Sequence, residues 1–82
     1  PALGRLIQAF RLKTQTQPLA DKVVAAQKSK TLPRGVIANS MADNAATAGV
    51  LTAAEAQQLK VALAACMAAC EVDVFKSEHY YR

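Results

Sequence analysis

The sequence predicts an all-α chain of three to four short antiparallel helices, with an αα-corner at 49–52 and an irregular C-terminal tail. Three observations lead there. Eighteen of the 82 residues are alanine, the strongest helix former. Larger apolar residues recur every three or four positions, the period of an amphipathic helix. The stretch Gly49-Val50-Leu51-Thr52-Ala53-Ala54-Glu55-Ala56 packs a helix stop, a turn and a helix start into eight residues. Gly49 accepts the left-handed backbone that closes a helix. Thr52 and Glu55 form a capping box: the Thr52 hydroxyl accepts from the Glu55 N–H, and the Glu55 carboxylate accepts from the Thr52 N–H at the positive end of the helix dipole. Leu51 is placed to staple against Ala56.

A first helix is expected from Ala2 to about Lys13, with Leu3, Leu6, Ile7 and Phe10 as its apolar stripe. The polar run Thr14-Gln15-Thr16-Gln17 precedes Pro18, and a residue before proline avoids helical geometry, so this helix is expected to stop there. Pro18 suits the first turn of a second helix, where its missing N–H costs nothing. That helix carries Leu19, Val23, Val24 and Ala26 or Gln27 inward through about Lys28, with Lys22, Lys28 and Lys30 outward.

Lys30-Thr31-Leu32-Pro33-Arg34-Gly35 is the clearest breaker in the chain. A third helix follows, with Val36, Ile37, Met41, Ala45 and Ala48 on one side, ending at Gly49; its Asn, Ser, Asp and Thr residues make it the weakest helix former of the set. The fourth begins after Thr52 and is the most regular, with Ala56, Leu59, Leu63, Cys66, Met67 and Cys70 along one side. A helix apolar nearly all round is usually buried on more than one face. Leu59, Leu63, Cys66 and Met67 are therefore the candidate docking face. Residues 1–75 are expected to form the helical domain and 76–82 an exposed tail, with Val72-Asp73-Val74-Phe75 extended between them.

Position 1 is proline rather than methionine, which suggests a processed chain or a segment of a longer one. No apolar run reaches the roughly 18 residues of a membrane span, and the first residues lack a signal-peptide layout. Although 52% of the residues are hydrophobic, alanine supplies much of that figure and buries little, so the helices are expected to need a neighbouring surface. Charge is uneven: residues 1–41 carry seven basic groups against one acidic, and residues 42–82 carry three basic against five acidic. A basic front of this kind suits an acidic neighbour, an anionic membrane or nucleic acid.

Candidate chemistry is sparse. Cys66 and Cys70 share a helical face, but their spacing is not the C-x-x-C of zinc or redox sites, and His79 in the tail leaves such a site short of a ligand. Two thiols in an alanine-rich stripe read as small core residues, and the absence of a disulfide pattern fits a reducing cytoplasm. Glu78, His79 and Tyr80 lack the orienting partner and concave site that acid–base work needs. There is no phosphate-cradling glycine loop and no nucleophile elbow. No catalytic, cofactor-binding or metal residue is assigned to the chain. As a helix-turn-helix, the helix after the corner offers only Gln57, Gln58 and Lys60 to base edges, so nucleic acid is not the expected partner.

The segment 49–56, followed by Leu59, an alanine-rich helix and the ending Val72-Asp73-Val74-Phe75, resembles the extreme C-terminal region of the long bacterial acyl-CoA dehydrogenases of fatty-acid β-oxidation. Leu6 through Phe10 resembles that region's opening helix, Pro18-Leu19 and a lysine-containing helix the next, and Leu32-Pro33 the break after it. The likeness runs from about Leu6 to Phe75. It departs at Val74, where that family tends to carry a second acidic residue, and at Cys66-Met67 and Cys70, where more polar residues are usual.

The resemblance implies a parent flavoenzyme that takes the α and β hydrogens from a fatty acyl-CoA, with FAD as hydride acceptor and a glutamate as base, to give a trans-2-enoyl-CoA. In that family the flavin and the base lie in upstream domains. FAD is thus implied for the parent and not for this chain, and acyl-CoA meets it only through the parent. The implied role is mechanical: Gly49, Thr52 and Glu55 are structural, and the partners are upstream dehydrogenase domains or a sister subunit. The cytoplasm is the expected location, with the basic front available to the inner membrane surface. The alternative from another class is a free-standing basic helical module for nucleic acid or anionic membrane, built on Lys22, Lys28, Lys30 and Arg34.

Overall fold

A computed structural model describes residues 2–68. Within them the chain forms three helices and no strand: α1, Ala2–Lys28; α2, Asn39–Thr47; and α3, Ala53–Ala68. The cysteine at 70, the expected extended ending at 72–75 and the tail at 76–82 lie outside the described residues. No helix among those described is long and apolar enough to cross a membrane.

The expected break before Pro18 does not occur. α1 is continuous for 27 residues with Pro18 in its interior. An interior proline removes one helical hydrogen bond and crowds the carbonyl four residues back, at a cost of about 3 kcal/mol. Packing outweighs it. Ala9, Thr16, Leu19, Ala20, Val23, Ala26 and Gln27 are all buried, and they fall on one face only if a single helix runs through all of them. Burying Leu19 and Val23 is worth about 1.5–3 kcal/mol each. The hydroxyls of the polar run find partners without ending the helix: Thr14 donates to the Phe10 carbonyl at 2.9 Å and Thr16 to the Leu12 carbonyl at 2.8 Å.

Continuity also sets which way the first turns face. The inward positions of α1 include Ala9 and partly buried Leu12, whereas Ile7 and Phe10 of the expected core stripe are 54% and 72% exposed. With 3.6 residues per turn, Ile7 lies about 160° around the helix from Ala9.

α1 ends where the breaker begins, in a Schellman motif: the Thr31 N–H donates to the Ala26 carbonyl at 2.9 Å and the Lys30 N–H to the Gln27 carbonyl at 3.1 Å. α2 ends the same way, with the Val50 N–H on the Ala45 carbonyl at 2.8 Å and the Gly49 N–H on the Ala46 carbonyl at 3.1 Å. Each motif delivers a buried leucine, Leu32 or Leu51, to the core. The left-handed position is filled differently, by Gly49 at φ +77° in one and by Lys30 at φ +66° in the other. A side chain at such a φ costs roughly 1 kcal/mol. Lys30→Gly is therefore expected to stabilise the fold by a few tenths to about 1 kcal/mol, because the relief of strain exceeds the entropy that glycine adds to the unfolded chain. A rise in the urea midpoint at unchanged slope checks it.

The third helix starts later than its pattern suggested. Val36 and Ile37 lie in the connection, and α2 begins at Asn39 after Ala38, whose side chain makes no cap. The connection is held from within: buried Gln27 donates from Nε2 to the Pro33 carbonyl at 3.2 Å and to the Gly35 carbonyl at 3.0 Å. Gly35, at φ +153°, permits the bend that brings both carbonyls to one amide. Ile37 thereby reaches the core while Val36 is left outside.

α3 packs on both other helices. Buried Cys66 lies against Ala9, and Lys22 meets Glu55, so α1 and α3 run in opposite senses. Lys60 pairs with Asp43 of α2 at 2.6 Å.

Candidate docking surface

The corner between α2 and α3 follows its sequence. The Thr52 N–H donates to Glu55 Oε1 at 2.9 Å, and the Glu55 N–H donates to Thr52 Oγ1 at 3.0 Å, which completes the capping box at the residues that define it. Gly49 sits at the left-handed position one residue past Ala48, the C-cap of α2. Lys22 of α1 then donates from Nζ to Glu55 Oε2 at 3.3 Å and ties the corner to the long helix.

The Thr52 backbone N–H, and after it the Lys22 ammonium, hold the Glu55 carboxyl below its ordinary pKa. A carboxyl depressed on folding contributes stability that is complete above its unfolded pKa and is lost as pH falls through the folded one. Stability should therefore decline on the acid side of the carboxylate range. Glu55→Gln should flatten that limb, read from denaturation midpoints across the acid range.

The residues expected to form a docking face are placed differently. Leu59, Leu63 and Cys66 are 0%, 5% and 1% exposed, and it is α1 and α2 of the same chain that cover them. The reason is the unbroken α1, which is long enough to lie along α3 and supply the surface that two shorter helices would not. The Met67 side chain lies outside the described set. Cys66 is a core thiol, donating to the Ala9 carbonyl at 3.7 Å. Among the described residues no cluster of three His, Cys, Asp or Glu side chains is arranged to hold a metal ion.

Among the described residues, the exposed large apolar side chains are Ile7 and Phe10 on α1, Val36 in the connection and Val61 on α3. Ile7 and Phe10 stand one turn apart and share a face; Arg11, also exposed, is four residues from Ile7 and flanks it. Lys28, Lys30 and Arg34 are exposed around the end of α1. Two features carry little sequence signal. The helical pattern turns either Ala26 or Gln27 inward, and the Gln27 clamp on the connection shows in sequence merely as a polar residue at an inward position just ahead of a proline and a glycine. The outward turn of Ile7 and Phe10 has no local signal at all.

The described residues bury few polar groups. Their buried polar side chains are Thr16 and Gln27, and both are engaged with backbone carbonyls of the chain's own helices and connection.

Fold and surface together define, over the described residues, an all-α unit with a core covered by its own helices and an apolar face left outward on its first helix. The family model described as acyl-CoA dehydrogenase, C-terminal, bacterial type matches residues 1–75, and the chain belongs to that family. No curated protein and no solved structure matches it.

Proposed function

We propose that this chain is the C-terminal helical part of a bacterial acyl-CoA dehydrogenase that oxidises fatty acyl-CoA to trans-2-enoyl-CoA with FAD, and that its own task is structural. The observation that carries the reading is the family match over residues 1–75. The chemistry of the described residues agrees with it: buried polar groups are spent on the fold, and the charged pairs Lys22–Glu55 and Lys60–Asp43 join helices rather than line a cleft. The flavin, when bound by the upstream domains, supplies hydride acceptance. These residues supply a rigid unit, in which the capped corner fixes α2 on α3 and Gln27 fixes the connection.

The test is the size and absorbance of the natural protein that carries this segment. A polypeptide far longer than 82 residues with an oxidised-flavin spectrum, active on a fatty acyl-CoA, is the expected result. A colourless protein with no such activity overturns the reading. Salt-dependent binding of that protein to nucleic acid or anionic vesicles, lost on neutralising Lys28, Lys30 and Arg34, would put the basic module in its place.

A further inference from the structure

We propose that the outward face of α1 formed by Ile7 and Phe10 is the seat of this unit on the dehydrogenase body that precedes it, received by an apolar pocket with a carboxylate at its rim facing Arg11. The proposal rests on the acyl-CoA dehydrogenase reading above and names the surface that reading requires.

Three observations select the face and its occupant. First, Phe10 at 72% and Ile7 at 54% exposure are the pair of exposed large apolar side chains that share one helix face among the described residues. The chain's own helices do not cover them, since α3 packs on the side of α1 that carries Ala9. Second, the face is small. Two such side chains offer on the order of 200 Å², against about 800 Å² per partner in a stable complex of separate molecules. A second copy or a free protein is not retained by so little area. A body joined covalently is, because the linkage replaces the bimolecular cost with an effective concentration in the millimolar range. Third, the face occupies the opening turns of the first helix, and the family is a C-terminal one. Polypeptide entering α1 from the dehydrogenase body therefore brings that body to the end of the helix where Ile7 and Phe10 stand.

Hydroxyl-radical footprinting of the intact flavin-bearing enzyme, read by peptide mass spectrometry, tests the seat. Phe10 is expected to oxidise several-fold more slowly than in a synthetic peptide of residues 2–13, while Val61 remains reactive and the flavin spectrum is unchanged. Arg11→Glu should raise the Phe10 rate at constant flavin content, and Lys28→Glu should leave it alone. Phe10 oxidised as fast as in the peptide, in an enzyme that keeps its flavin, overturns the seat and leaves the functional reading standing. Protection lost on deleting residues 69–82 would show that the chain's own end covers the face. Protection lost on dilution, with halving of the mass, would show that a second copy does; either result overturns the proposal. A colourless enzyme without acyl-CoA activity overturns the functional reading and the seat with it.

Discussion

Leu59→Ala is expected to remove about 2–5 kcal/mol of stability, the usual range for truncating a fully buried leucine where the surroundings relax only in part. Leu59 is 0% exposed on the helix that packs against both others, so the cavity would open where the three helices meet. The core it belongs to includes the alanines Ala20, Ala42, Ala45 and Ala62, all 0% exposed. Alanine has no side-chain torsion with which to fill a void, and the helix backbones would have to move instead. For that reason the loss should lie in the upper half of the range. Val61→Ala, on the outward side of the same helix, should change stability by no more than about 0.5 kcal/mol. Urea denaturation followed by far-ultraviolet circular dichroism checks both. Equal losses at the two positions would show that α3 does not present Leu59 to the core.

Gln27→Leu should cost about 1–3 kcal/mol although it conserves size and adds apolar surface. The amide donates to two backbone carbonyls, Pro33 at 3.2 Å and Gly35 at 3.0 Å, and leucine can satisfy neither. The effect should be local as well as global. Amides of the connection between α1 and α2 should lose exchange protection ahead of the helices, because the clamp acts on that segment first.

Gln27→Glu is the sharper variant. An ionised carboxylate would face two carbonyl oxygens in a buried position, which raises its folded pKa above the unfolded value. The destabilisation is then largest at neutral pH and is relieved as pH falls through the raised pKa, where the protonated acid can donate to one of the carbonyls. That dependence is opposite in sign to the one expected at Glu55. Denaturation midpoints of Gln27→Glu and of the unsubstituted protein across the acid range check it: their separation should narrow as pH falls.

These outcomes also mark where sequence reading reaches and where it stops. The corner at Gly49, Thr52 and Glu55 is legible because every bond that makes it is local, the capping-box pair spanning three residues and the helix stop no more than six. The end of α1 is legible for the same reason, and the all-helical class follows from alanine content and periodicity. Gln27 lies at the margin: its partners are six and eight residues away, close enough to suspect and too far to derive.

The sequence by itself thus determined three things: the helical class, the helix stops near Lys28 and at Gly49, and, through the resemblance from about Leu6 to Phe75, the family. Tertiary structure alone decided that α1 runs straight through Pro18, that Ala9 rather than Phe10 faces inward, and that Leu59, Leu63 and Cys66 are covered from within. The physical reason is the range of the interaction. A proline's local penalty of about 3 kcal/mol is offset only by contacts such as Ala9 with Cys66, 57 residues apart, and no window along the chain contains both sides of that balance.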